Sequence, residues 1–145
     1  MKPNSLVATF YGWPEIDQFM TVWKACGFRP VSHLVWEKSH SSYDGFTRSF
    51  HEVGYLLAKG RPPKPEDPIP DILPWEYTGN VHHPNEKPVE AIEPLVQSFS
   101  KAGDHILDPF CGSGTTGVAA QLLKRRYILI DKVSAHCKTA RKRLH

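Results

Sequence analysis

His105-Ile106-Leu107-Asp108-Pro109-Phe110-Cys111-Gly112-Ser113-Gly114-Thr115-Thr116 is the stretch from which the rest of the chain is read. A short apolar run, Ile106-Leu107, ends in a carboxylate at Asp108. A turn containing Gly112 and Gly114 follows, and Val118-Ala119-Ala120-Gln121-Leu122-Leu123 then favours a helix. Strand, glycine turn, helix is the order that lets a backbone come close to a nucleotide-like ligand. A second strand, Tyr127-Ile128-Leu129-Ile130, ends in Asp131. A carboxylate at that place can accept two hydrogen bonds from a ribose diol.

The chemistry of the turn narrows the ligand. Gly112-Ser113-Gly114-Thr115-Thr116-Gly117 has the spacing of a dinucleotide turn, whereas the lysine that a phosphate-binding loop needs after Gly114 is absent. Asp108 beside the turn would repel phosphates and suits a cation. S-adenosylmethionine carries an ammonium and a sulfonium and no phosphate, so it fits this turn better than a dinucleotide. A structural strand-turn-helix with no ligand is the remaining alternative.

Asp108-Pro109-Phe110-Cys111-Gly112-Ser113-Gly114-Thr115-Thr116 resembles motif I of the amino-group DNA methyltransferases, which methylate adenine N6 or cytosine N4. His83-Pro84-Asn85-Glu86-Lys87-Pro88 is similar to their motif X, and its place just before motif I is that of the permuted group. Ser5–Trp13 resembles the strand after the family's catalytic loop, and His51–Gly60 a later strand of the same half. The likeness is nearest to small prophage-type adenine methylases. It implies a Rossmann-like class I α/β fold, with a mostly parallel sheet, an antiparallel edge hairpin and the family's N-terminal strands missing. It also implies a site in which Asp108, Phe110, Gly112, Gly114 and Thr115 surround S-adenosylmethionine and Asp131 takes the ribose. Asn85 and Lys87 would lie near the methionine carboxylate, with Phe10, Tyr11 and Trp13 at the pocket border. Double-stranded DNA is the implied substrate, and Arg48, His51 and Trp75 are candidate contacts to it.

One departure matters as much as the match. The family's Asp-Pro-Pro-Tyr signature does not occur; Pro62-Pro63 lacks the acid before it and the aromatic after it. In the family the acid and a nearby carbonyl accept hydrogen bonds from the exocyclic amine, while the aromatic stacks on the flipped-out base. Such orientation contributes on the order of several kcal/mol to rate. The chain therefore reads as the cofactor-binding C-terminal part of a methyltransferase, inactive alone. It would await a complementary N-terminal polypeptide or a second copy of itself. The other reading is a non-catalytic remnant serving as a binding or assembly module, since an unpaired strand edge recruits partners.

The 145 residues predict one domain, 1–145, with a formal charge of +3 that permits nucleic-acid binding without requiring it. No apolar run approaches the ~18 residues of a membrane span and no signal peptide is visible, which predicts a cytoplasmic protein with no membrane partner. Cys26, Cys111 and Cys137 are widely spaced and odd in number, so no disulfide framework is expected. No Cys-x-x-Cys or His-x-x-x-His pair suggests a metal, and the adjacent His82-His83 read as loop residues. Lys124-Arg125-Arg126 and Lys138, Arg141, Lys142 and Arg143 read first as solvated helix ends favoured by the helix dipole, with phosphate contact as the alternative.

Along the chain, Leu6–Phe10 predicts a buried strand, Pro14–Cys26 an amphipathic helix stopped at Gly27, and His33–Lys38 a strand. Ser39–Phe46, with Tyr43 and Gly45, predicts a polar loop, and Glu52–Ala58 an antiparallel edge strand. The six prolines of residues 61–79 predict an extended surface segment in which Trp75 either packs or stacks on bases. Lys87–Phe99 predicts a helix entered through Pro88, with Asn85 as cap or ligand contact, and Ala135–Leu144 the closing helix.

Overall fold

Alternation of apolar and polar residues across Leu34, Trp36 and Lys38 sets the inward row of the longest strand. A computed structural model describes residues 1–43, 46–82 and 85–145. Asp44, Gly45, His83 and Pro84 lie outside the described residues, among them the glycine of the polar loop, the second histidine of the His82-His83 pair and the start of the His83–Pro88 motif. The chain divides into two compact units, Met1–Pro74 and Trp75–His145.

The first unit carries β1 (Ser5–Phe10), a 3-10 turn (Trp13–Glu15), α1 (Ile16–Ala25), β2 (Phe28–Tyr43), β3 (Arg48–Lys59) and β4 (Ile72–Trp75, ending one residue into the second unit). The sheet order is β1-β3-β2-β4. β3 pairs antiparallel with β1 (Ser5↔Lys59 to Phe10↔Gly54) and with β2 (Phe28↔Lys59 to Tyr43↔Arg48). Three expectations are corrected here. Residues 39–43 extend β2 instead of forming a loop, because Ser42 and Tyr43 find pairing partners in Ser49 and Arg48. β3 lies between two strands and not at the edge, and Leu56, Leu57 and Ala58 are buried there. Part of the proline-rich segment forms β4, where Leu73 and Trp75 turn inward and Pro74 sits on an edge strand, which tolerates a missing N–H donor.

Gly54 is required at the centre of β3. A Cβ there would stand 2.8 Å from the Thr9 carbonyl oxygen and 2.9 Å from the Trp36 ring. The Trp36 ring in turn stacks on Phe10 with centroids 4.4 Å apart. α1 is fixed to the sheet by an aromatic cluster of Tyr11, Phe19, Trp23, His33 and Tyr55.

The second unit carries α2 (Val89–Phe99), β5 (His105–Asp108), α3 (Thr115–Leu122), β6 (Arg126–Leu129) and α4 (Ser134–Leu144). β5 and β6 run parallel, from His105↔Arg126 to Asp108↔Leu129. A parallel pair needs a crossover, and α3 supplies it. Its small residues Gly117, Ala119 and Ala120 are buried, and Gly117 lies so close to Leu129 that a Cβ would come within 2.6 Å of it. α2 buries Ala91, Ile92, Leu95 and Val96. Arg125 joins the start of β6 to the end of α2 by donating to the Ser100 carbonyl at 2.6 Å and the Ser100 hydroxyl at 3.0 Å. It is thus a cap for the last carbonyls of α2, not a freely solvated charge. The helices cover one face of the β5–β6 pair only: Leu107 and Ile128 on the opposite face are 61% and 52% exposed.

Candidate functional site

The glycine turn hangs from the end of β6. Ile130 N–H donates to the Asp108 carbonyl at 2.9 Å, and Cys111 N–H donates to the Ile130 carbonyl at 2.9 Å. Gly114 N–H closes the turn on the Cys111 carbonyl at 2.7 Å. Gly114 then starts α3 with φ +85°, and a Cβ there would meet Ala140 of α4 at 2.8 Å. Backbone sign and space both demand glycine at this position.

Asp108, which ends β5, and Asp131, just past β6, are both tied to this turn. Asp108 accepts from Phe110 N–H at 3.0 Å and from the Thr116 hydroxyl at 2.6 Å. Asp131 accepts from Gly112 N–H at 2.9 Å and from Val133 N–H at 2.8 Å, with His136 Nδ1 3.2 Å away. The Val133 amide, then the Gly112 amide and His136, hold the Asp131 carboxyl below the ordinary carboxylate range against the opposing effect of burial. A carboxylate has about four acceptor sites. Three are used by the protein, which leaves one for a ligand hydroxyl unless His136 moves aside. Burial, followed by the charges of Asp108 and Asp131, pushes the Cys111 thiol up to about 11. Two carboxylates beside the turn suit a cationic ligand and oppose a phosphate.

The segment before α2 meets the turn through Arg143 of α4. Arg143 Nη1 lies 3.0 Å from Glu86 Oε1 and donates to the Ser113 hydroxyl at 2.9 Å, the Ser113 carbonyl at 3.1 Å and the Thr115 hydroxyl at 3.2 Å. The Glu86 side chain is 2% exposed, and its other oxygen accepts from His82 N–H at 3.1 Å. Thr115 also donates its hydroxyl to the Lys87 carbonyl at 2.9 Å. The Lys87 ammonium lies 5.1 Å from the centroid of the Trp75 ring. Asn85 is exposed, and the N-cap position of α2 is Pro88.

A family profile described as DNA methylase (N6 and N4) matches residues 1–142. The chain belongs to the N6/N4 DNA methylase family. The chain is 46% identical over 144 residues to the protein YubD of Escherichia coli K12, covering 99% of this chain and 63% of YubD. It is 53% identical to the type II methyltransferase M2.DpnII of Streptococcus pneumoniae over 171 aligned positions, covering 99% of this chain and 62% of that protein. The chain thus spans less than two thirds of the length of these relatives. The M2.DpnII alignment has more positions than the chain has residues, so that relative carries extra residues within the matched span. The structure of the M1.HpyAVI–SAM complex is 24% identical with a TM-score of 0.85, over 100% of this chain and 76% of that one. The cytosine-N4-specific PvuII DNA methyltransferase is 14% identical with a TM-score of 0.81, over 100% of this chain and 65% of that one. The fold is accordingly the Rossmann-like α/β fold of class I S-adenosylmethionine-dependent DNA methyltransferases, and the family's cofactor is S-adenosylmethionine.

Within the second unit, Asp108, Phe110, Gly112, Gly114, Thr115 and Asp131 lie together on and around the turn, with Lys87 joined to them through Thr115. They differ in what they leave open. Phe110 is 88% exposed, whereas Gly114 and Thr115 are buried and serve the turn and its link to Lys87. Trp75 is 8% exposed, which is the packing alternative of the two weighed for it. Phe10, Tyr11, Arg48 and His51 belong to the first unit. There Phe10 packs on Trp36, and the Tyr11 hydroxyl lies 3.0 Å from His33 Nε2. Burial, with Tyr55 as the second cause, raises the Tyr11 phenol above its ordinary value. Trp13, Arg48 and His51 are exposed. Nothing local in the sequence marks the Glu86–Arg143 pair. Glu86 stood inside a recognised motif without a role, and Arg143 was one of four cations on α4, of which Lys138, Arg141 and Lys142 are exposed.

Proposed function

We propose that the chain is the S-adenosylmethionine-binding part of a site-specific DNA methyltransferase acting on adenine N6, and that it needs a complementary segment bearing Asp-Pro-Pro-Tyr to transfer a methyl group. The observation that carries this reading is the pair of carboxylates, Asp108 and Asp131, hydrogen-bonded to one glycine turn. S-adenosylmethionine would supply a methyl group activated on a sulfonium, the kind of charge that this turn favours. Phe110 and the backbone at Gly112 would border the nucleoside, and Asp131 would take a ribose hydroxyl. Asn85 and Lys87 would receive the methionine carboxylate. Arg48 and His51, exposed on β3, would contact DNA phosphates. The preference for adenine rests on the resemblance to adenine methylases, and DNA as substrate implies work in the cytoplasm.

Support for a missing complement comes from the β5–β6 pair. Parallel strands are ordinarily covered on both faces, yet Leu107, Ile128 and Ile130 are exposed. Among the described residues β5 pairs with β6 alone. The same bare face favours the second reading, a non-catalytic module that binds a partner or a second copy. Calorimetry with S-adenosylmethionine tests the site: heat of binding is expected, and its absence at millimolar cofactor sinks the reading. A tritiated-methyl assay on DNA is expected to give no transfer by the chain alone and transfer once an Asp-Pro-Pro-Tyr segment from a relative is supplied. Continued inactivity with that segment, together with a dimer by light scattering, would favour the module.

A further inference from the structure

We infer that Arg143 is a positioning residue of the cofactor site: paired with the buried Glu86, its guanidinium locks the Asn85–Lys87 stretch onto the Ser113–Thr115 turn and so sets the affinity for ligand. This rests on the reading that the turn holds S-adenosylmethionine.

The argument starts from cost. A guanidinium and a carboxylate withdrawn from water lose solvation that their mutual attraction restores only with good geometry and further hydrogen bonds. An apolar pair of the same volume would hold α4 in place as well or better. What the ion pair adds is direction. One guanidinium nitrogen reaches Glu86 at 3.0 Å, both oxygens of Ser113 and the Thr115 hydroxyl, so two segments far apart in sequence are registered on a single group. Thr115 is the second strut, holding the Lys87 carbonyl at 2.9 Å. Ser113 and Thr115 alternate with Gly112 and Gly114, so fixing the first pair fixes the path of the glycine backbone. Glu86 stands between Asn85 and Lys87, so fixing it fixes the backbone of both. The two arms that would grip the cofactor are thereby assembled before it arrives, and binding costs less ordering.

The test uses the full 145-residue chain. Arg143→Met alone strands a buried carboxylate and is expected to lower the melting temperature sharply. Glu86→Gln combined with Arg143→Met removes both charges, keeps an acceptor for His82 N–H and fills the space of the arginine stem. The double variant is expected to melt close to the parent, yet to bind S-adenosylmethionine about tenfold more weakly. Its amides at His82 and residues 112–116 are expected to exchange hydrogen faster while those of α2 and β6 do not. Affinity and exchange equal to the parent's would overturn the inference, because a purely structural pair would be fully replaced. If the parent itself binds no S-adenosylmethionine, the cofactor reading fails. The clamp then stands or falls on exchange alone: acceleration confined to those amides supports it, and none, or acceleration throughout, overturns it. Should the double variant fail to fold, Arg143→Lys keeps the charge opposite Glu86 without the guanidinium fork and is judged by the same two readouts.

Discussion

Cys111 lies under the influence of two carboxylates, with its thiol pushed up to about 11, chiefly by burial. The thiolate is the reactive form, so Cys111 is protected at neutral pH although it sits in the turn. At pH 8 the exposed Cys26 is expected to react quickly with a thiol reagent, while Cys111 reacts only after denaturant is added. Rapid labelling of Cys111 in native Cys26→Ser/Cys137→Ser protein would contradict the burial described. Asp131 behaves in the opposite sense. Its folded value lies below the ordinary 3.8, so its contribution to stability is fully present above that pH and is lost as the pH falls through the folded value. The gap in melting temperature between the parent and Asp131→Asn should hold above pH 4 and close below it; a gap that widens in acid would reverse the assignment. Asp108 and Asp131 were legible in the sequence because each ends an apolar run next to glycines. Glu86 and Arg143 were not, since nothing local distinguishes a buried charge from its solvated neighbours until the chain has folded back on itself.

The strand–turn–helix elements of the second unit were read closely because their signals are local: two short apolar runs, a glycine turn, and a small-residue helix. Gly114→Ala tests the turn as an element. It puts a side chain at φ +85° and 2.8 Å from Ala140 Cβ. A loss on the order of 3 kcal/mol is expected in urea unfolding, from strain and overpacking together. A loss below about 1 kcal/mol would mean that α4 yields easily. The first unit is less legible in the sequence. Ser39-His40-Ser41-Ser42 has no apolar pattern, and only pairing with the start of β3 draws it into β2. The inward row of β2 even includes Lys38, whose ammonium is satisfied by Glu52 at 2.9 Å and Ser42 at 3.1 Å. A polar residue facing inward with its partners on another strand or four residues on breaks the alternation that sequence reading relies on. The central place of β3 likewise follows from long-range pairing with β1, for which the sequence carries no local mark.

On the scale of the whole molecule, the uncovered face of β5–β6 is the feature on which the proposed need for a complement rests. Leu107→Lys with Ile128→Lys lies on an exposed surface, where substitutions usually change stability by less than about 0.5 kcal/mol. The isolated chain should therefore melt as before, while methyl transfer on addition of an Asp-Pro-Pro-Tyr segment should be lost. Full transfer by the doubly substituted chain would show that the complement docks elsewhere. The position of Lys87, 5.1 Å from the Trp75 ring centroid, has a practical outcome. Trp13, Trp23 and Trp36 all belong to the first unit, so Trp75 is the single indole of the second. An ammonium resting on an indole perturbs its fluorescence. With the other three replaced by phenylalanine, any ligand that draws Lys87 toward an anionic group should change the emission of Trp75, giving a label-free optical titration of the site.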